Sequence, residues 1–258
     1  MIDNASGDGT VDLVRERHPD VHVVANDQNV GFARATNSGI RAGDSPYVLA
    51  LNPDTELQAG TLEHLVALLE EHPEIGIAGC RLVRPDGSLD HASRRSFPTV
   101  VGALAHFTGL GRRASGGRLA QYRAPEVERG PVDAVNGAFM LMRRAALDQV
   151  GLFDEGYWMY MEDLDLCYRF AQAGWVTWYE PDVEARHVKG GTTGGVRDAR
   201  LTYAFHYGMW RFYRRHYAPQ RNPLVNALVL GGITAKLALA LAVPRLRRTA
   251  SALAPPRR

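Results

Sequence analysis

The sequence predicts an α/β fold, a mainly parallel sheet flanked by helices, with a basic, apolar, helical C-terminal tail. Three observations carry this expectation. Strand-like and helix-like patterns alternate through the first three quarters of the chain. Tyr47 to Leu51 is continuously apolar, as in a strand covered on both faces of a parallel sheet. No acidic residue follows Asp198, while Arg and Lys continue to the end.

The elements follow in order. A turn-rich loop, Asp3 to Thr10, leads into a helix from about Val11 to Arg17, stopped near Pro19. Val21 to Ala25 alternates and is valine-rich, which reads as a strand. Asn29-Val30-Gly31 is a turn before a helix over Phe32 to Ala42. After the apolar strand, Leu62, Leu65, Val66, Leu68 and Leu69 recur at helical spacing up to Pro73. Ile75 to Ala78 is a strand, and Pro85-Asp86-Gly87-Ser88 a tight turn. Residues 90–130 show weak periodicity and read as an irregular or helical insertion. Val132 to Met142 is a strand kinked at Asn136-Gly137, and a helix runs from Arg144 to Val150. Glu162 to Ala173 is a helix ended by Gly174, and Val176 to Tyr179 a strand. In the tail, Tyr203 to Tyr217 interleaves aromatic and basic residues, and Leu224 to Val243 is largely apolar. Twenty helical residues span roughly 30 Å. Lys236 in the middle makes a clean membrane span costly, so a helix lying in the membrane interface is the competing reading. The expected division is residues 1–200 as one domain and 201–258 as a membrane-associated tail.

At 258 residues the chain can bury a full core, and 45% hydrophobic with 22% charged content is ordinary for a globular protein. A net charge of +2 gives no field that argues for nucleic acid. The basic tail points instead to an anionic lipid surface. Cys80 and Cys167 both sit in apolar segments and read as buried thiols in a reducing compartment. The polar N-terminus does not read as a signal peptide. The expected location is therefore the cytoplasmic side of the membrane.

Two acidic motifs carry the chemistry. Leu51-Asn52-Pro53-Asp54-Thr55-Glu56 puts Asp54 just past a strand's carboxyl end, where open α/β sheets bind ligands. A carboxylate there suits Mg²⁺ or Mn²⁺ holding a diphosphate, with Asn52 as a polar contact beside it. Glu162 and Asp163 open a helix, where the N-terminus favours an ionised carboxylate. They follow Tyr157, Trp158, Met159 and Tyr160, an aromatic patch able to bind a sugar face, so Trp158 and Tyr160 are acceptor-binding candidates. A transferase acting with inversion needs one carboxylate beside the acceptor hydroxyl. Asp165 would point elsewhere and reads as helix N-terminal charge. His187, read as lying in a Gly-rich loop after the last strand, is a candidate for holding metal or phosphate. Asp3 can accept hydrogen bonds from a nucleobase or ribose.

The ordered set of motifs resembles inverting glycosyltransferases of family 2, with the GT-A fold, and most of all their bacterial rhamnosyltransferase branch. The landmarks are Asp3 to Thr10, Asn29-Val30-Gly31-Phe32-Ala33 with Asn37, Leu51 to Thr55, Pro85 to Ser88, Asn136-Gly137-Ala138-Phe139, Gly151 to Glu155, and Met159 to Cys167, over about residues 1–195. The resemblance implies that Asp3 contacts the base and that Asp54 ends a DxD-like metal motif whose first Asp is Asn52. It makes Asp163 the catalytic base with Glu162 beside it on the acceptor side. It also makes His187 a metal ligand and sets Gly31 and Asn37 near the donor. Family members carry a strand, a loop and a helix ahead of the segment matching Met1, so the resemblance implies either that Met1 is a misassigned start or that the chain is a fragment.

The function expected is transfer of a sugar, L-rhamnose foremost, from dTDP-rhamnose or a UDP-sugar to a glycan or polyprenyl-diphosphate-linked acceptor in cell-envelope synthesis. The alternatives are a nucleotidyltransferase, which would want a basic Gly-rich loop by its first strand, and a degenerate, non-catalytic transferase-like binding protein.

Overall fold

A computed structural model describes residues 1–99, 128–188 and 198–252. The chain divides into two compact units, one holding the described residues up to Phe97 and from 128 to 188, the other holding 198–252.

The first unit is α/β. Its main sheet runs in the order β3 (Tyr47–Leu51), β9 (Phe139–Arg143), β5 (Ile75–Val83), β10 (Val176–His187), β4 (Thr55–Leu57), and β7 (Gly130–Pro131) also pairs with β10. β5 and β10 are parallel, whereas β9 runs antiparallel to both β3 and β5. Two small sheets lie outside it: β1 (Ile2–Asp3) parallel to β2 (Val24–Ala25), and β6 (Arg94–Arg95) antiparallel to β8 (Ala134–Val135). The helices are α1 (Thr10–Arg17), α2 (Phe32–Arg41), α3 (Thr61–Glu71), α4 (Arg144–Val150) and α5 (Glu162–Gln172). Leu65, Leu68 and Leu69 of α3 pack on Ile75, Ala78 and Leu82 of β5, Phe139 and Leu141 of β9, and Ala185 of β10. Burying such side chains contributes about 1.5–3 kcal/mol each.

The α/β class is as expected, but among the described residues the main sheet is mixed rather than mainly parallel, since only β5 and β10 pair parallel in it, and four elements differ in detail. Tyr47–Leu51 pairs antiparallel, and only Ala50 is buried, because it ends the sheet. A continuous apolar run encodes neither strand direction nor neighbours. Of Val21–Ala25 only the last two residues enter a ladder. The strand at Ile75 continues to Val83. The strand at Val176 does not stop at Pro181: a register shift between Glu180 and Glu184 takes up the proline, and pairing resumes to His187. His187 is therefore the end of a strand rather than a loop residue. The expected insertion lies mostly outside the described residues, as does the Gly190-Gly191 loop. Both cysteines are free and buried, and burial pushes each thiol up to about 12.

The second unit holds α6 (Ala199–Phe212), a π-helical turn at Tyr213–Tyr217 and α7 (Pro223–Ala252). The Asp198 carboxylate accepts the Leu201 N–H at 2.7 Å and caps α6. Val229 and Ile233 of α7 bury against Tyr213, with Met209 and Trp210 alongside. Leu224, Leu228 and Leu239 stay 64–75% exposed. Pro223–Ala242 is long and apolar enough to cross a membrane.

Candidate active site

The β3–β9 ladder brings the two acidic motifs together. Leu51 pairs with Phe139, so the chain leaving β3 runs beside the chain entering β9. The Asn52 N–H donates to Ala138 O at 3.0 Å and ties the two ends. The break at Asn136-Gly137, expected as a kink, separates β8 from β9 and is held by Asn136 Oδ1 accepting the Ala138 N–H at 2.8 Å. From this turn the Gly137 N–H donates to Asp163 Oδ2 at 2.9 Å. A Cβ on Gly137 would sit 3.4 Å from both Cβ and Oδ2 of Asp163, so the turn lies in van der Waals contact with that carboxylate.

Asp163 lies in the first turn of α5, where unpaired N–H groups favour negative charge. Its Oδ1 accepts the Leu164 N–H at 2.7 Å, and its Oδ2 accepts Arg95 Nη2 at 2.5 Å as well as Gly137. Glu162, beside it, is buried, and its Oε2 has no hydrogen-bond partner among the described residues. Burial first, and the Asp163 charge second, push the Glu162 carboxyl up to about 8. Glu162 therefore holds its proton at neutral pH. Its folded value is raised, so between about 4.5 and 8 the folded chain binds the proton more tightly than the unfolded one. The resulting stabilisation is lost as pH climbs through that window.

Backbone strain sits immediately upstream. Tyr160 and Met161 have φ of 69° and 73°, left-handed values that non-glycine residues adopt at a cost of about 1–3 kcal/mol each. Such strain persists only where the surroundings over-determine it. Asp165 supplies that anchoring. It is fully buried, accepts Arg169 Nε at 2.8 Å and Tyr157 Oη at 3.3 Å, and so serves the fold. Arg169 also donates to the carbonyls of Val150, Gly151 and Leu152 at 2.7–3.2 Å. Arg169→Ala would leave the Asp165 carboxylate buried without its cation, an expected loss of about 3–5 kcal/mol. Urea unfolding would read this as a lower midpoint, and a midpoint equal to the wild type would refute the anchoring role.

On the other side, His187 Nε2 lies 3.3 Å from Asp54 Oδ1, with both side chains at most 13% exposed. The pair arises because His187 faces Thr55 in the β10–β4 ladder and the Val188 N–H donates to Asp54 O at 2.9 Å. His187 Nδ1 is 3.9 Å from Asp90 Oδ2 and lacks a hydrogen bond among the described residues. A carboxylate and an imidazole converging at this distance fit a cation such as Mn²⁺ or Mg²⁺ that leaves further positions to a diphosphate and water. Among the described residues there is no group of three or more His, Cys, Asp or Glu able to hold a metal.

The donor-side residues form a linked rim. Asp3 is nearly buried, and its Oδ2 accepts the Ser6 N–H at 3.2 Å in a local turn. Asn4, which sequence reasoning passed over, staples the rim: its Oδ1 accepts Asn26 Nδ2 and the Val30 N–H, and its Nδ2 donates to Asn29 Oδ1 and Gly31 O. Gly31, at φ 89°, packs so closely on Trp158 that a Cβ would come within 2.5 Å of the Trp158 carbonyl oxygen. The Phe32 N–H donates to that oxygen at 2.9 Å, which fixes Trp158. Asn37 differs from expectation. It is 1% exposed, and its amide exchanges hydrogen bonds with the Phe153 backbone and donates to Glu155 Oε1. Its polar atoms are engaged within the protein, so it clamps α2 to the 153–155 turn, and direct donor contact would break those bonds. Arg34 and Arg41 reinforce the clamp through Glu155, whose carboxyl the Asn37 hydrogen bond first, and Arg41 next, hold below its usual range.

Sequence reasoning also missed Arg95. The signal was the Arg94-Arg95-Ser96-Phe97 stretch at the head of the insertion.

Comparisons with known proteins bear on the family and the fold. The family described as Glycosyltransferase like family 2 matches residues 1–202. The N-acetylglucosaminyl-diphospho-decaprenol L-rhamnosyltransferase of Mycobacterium tuberculosis is 34% identical over 255 residues, covering 89% of this chain and 80% of that protein. Among solved structures, the mannosyltransferase PcManGT from Pyrobaculum calidifontis, in complex with GDP-Man and Mn²⁺, superposes with a TM-score of 0.54 at 19% identity. It covers 98% of this chain and 69% of its own. GalNAc-T7 with UDP, GalNAc and Mn²⁺ gives 0.56 at 15% identity, covering 83% and 40%. The two likenesses establish the fold.

Proposed function

The chain belongs to glycosyltransferase family 2, and from that premise we propose that it moves a sugar, L-rhamnose foremost, from a nucleotide-diphosphate donor to a polyprenyl-diphosphate-linked acceptor, with inversion. The observation that carries this reading is the junction of the two acidic motifs: the Asn52 N–H bound to Ala138 O, next to the Gly137 N–H bound to Asp163.

In this mechanism Asp163 takes the proton of the acceptor hydroxyl. The hydroxyl oxygen attacks the anomeric carbon on the face opposite the diphosphate, and the bond from that carbon to the diphosphate oxygen breaks. Asp54 and His187 would hold Mg²⁺ or Mn²⁺, which when bound supplies positive charge to the leaving diphosphate. Asp3 would meet the base, with Asn52 and Gly31 on the donor side. Trp158 and Tyr160 would present ring faces to the acceptor sugar. Glu162, neutral at working pH, would offer a hydrogen bond on the acceptor side. Residues 1–200 serve as the transferase domain. Residues 201–258 act as a membrane-associated tail on the cytoplasmic face, a role that the exposed Leu224, Leu228 and Leu239 and the excess of basic residues support.

The test is turnover. The purified chain would be incubated with dTDP-rhamnose, UDP-sugars and a polyprenyl-diphosphate-linked N-acetylglucosamine, with Mn²⁺, with Mg²⁺ or with chelator. Metal-dependent transfer of rhamnose with an inverted anomeric centre is expected. Binding of a donor without transfer to any acceptor would favour a non-catalytic binding protein.

A further inference from the structure

The two oxygens of Asp163 are not equivalent. Oδ2 accepts both Arg95 Nη2 at 2.5 Å and the Gly137 N–H at 2.9 Å, two donors for the two lone pairs of that oxygen. Oδ1 accepts only the Leu164 N–H among the hydrogen bonds described. Arg95 is itself braced. Its Nη2 also donates to Val135 O at 2.9 Å, and Arg95 pairs with Ala134 in the β6–β8 ladder. The neighbouring Arg94 guanidinium stacks on the Tyr179 ring at 4.8 Å, which pins β6 from the other side. Arg95 is thus held on a strand, 20% exposed, against a carboxylate 9% exposed.

We propose that Arg95 is a positioning residue for the transfer step: together with the Gly137 N–H it ties down Oδ2 of Asp163 and thereby makes Oδ1 the atom that receives the acceptor proton. This deepens the transferase reading and rests on it. A carboxylate that pivots about its Cβ–Cγ bond presents its lone pairs over a wide arc. One pinned at Oδ2 presents the free lone pair of Oδ1 in one direction. Arg95 touches neither reacting atom in this role. It acts through Asp163, and its Nη2 group reaches Asp163 and Val135 together.

The experiment is steady-state kinetics of Arg95→Ala and Arg95→Lys in the full chain, with and without guanidinium chloride at sub-denaturing concentration. The expected result for Arg95→Ala is a kcat lower by about a hundredfold, the scale of a misplaced reacting group, with donor and acceptor KM unchanged. Part of the loss returns with Arg95→Lys and on adding guanidinium to Arg95→Ala. An unchanged kcat overturns the assignment. So does a loss that neither Lys nor guanidinium restores, because that is the behaviour of a fold contact. If Arg95→Ala does not fold, Arg95→Gln is read by the same criteria. The transferase reading has its own control: it fails if Asp163→Asn retains transfer, whereas loss there with full activity in Arg95→Ala sinks only this proposal.

Discussion

Asp163→Asn is expected to lower kcat by about 10²- to 10⁴-fold, the range that a positioned general base contributes, while leaving metal-dependent donor binding intact. The amide has nearly the shape of the carboxylate. Its oxygen can still accept from Gly137 and Arg95, so the turn at Asn136-Gly137 and the first turn of α5 should keep their geometry. What disappears is an anionic oxygen able to take a proton. The amide nitrogen would then face the Leu164 N–H, donor against donor, and a modest loss of stability should accompany the loss of rate. Single-turnover assays with donor prebound would separate the two. A variant that still transferred within about tenfold of the wild type would move the base elsewhere.

Asp54→Ala and His187→Ala form the second pair of large effects. Each removes one of two donor groups 3.3 Å apart. Changing residues that merely orient metal ligands costs about 10- to 100-fold in affinity, so removing a ligand itself should exceed that. Calorimetric titration with nucleotide-sugar in Mn²⁺ would show binding collapse towards the level seen in chelator. If both variants bound donor in Mn²⁺ like the wild type, the cation would have to sit elsewhere. Asp90 borders the same imidazole and is 1% exposed, so its carboxylate is the first place to look.

Much of the site was legible because its residues sit at element boundaries, where sequence speaks clearly. The helix opened by Glu162-Asp163, the turn at Asn136-Gly137 and the loop after Leu51 all stand where polarity and turn chemistry put them. The rest was hidden for physical reasons. A continuous apolar run reports burial but not pairing direction, so the antiparallel β3–β9 ladder was invisible, and with it the way the two motifs meet. Pro181 looked like a strand end because a proline cannot donate to a ladder, yet a bulge absorbed it and carried the strand on to His187. Asn37 lies on a helix like any polar residue. Only the tertiary fold shows its amide clamped to Phe153 and Glu155. Arg95 heads a stretch without periodicity, and its partner lies 68 positions away.

The antiparallel ladder that joins the two acidic motifs also divides labour. The groups proposed to act on the reacting centre hang from strand ends and a helix start: Asp54, Asp163 and His187. The groups proposed to meet the sugars, Trp158 and Tyr160, lie in the stretch between α4 and α5, which Arg169 moors at its near end. On the proposed assignments the chemistry is mounted on the frame, and sugar contact on a connecting segment that Asn37 and the Phe32 N–H hold against it. A chain built this way can change its acceptor by rewriting one connecting segment while its catalytic distances stay fixed by the register of β3 against β9. Grafting residues 152–161 between relatives is, on this architecture, the economical route to a transferase of altered preference.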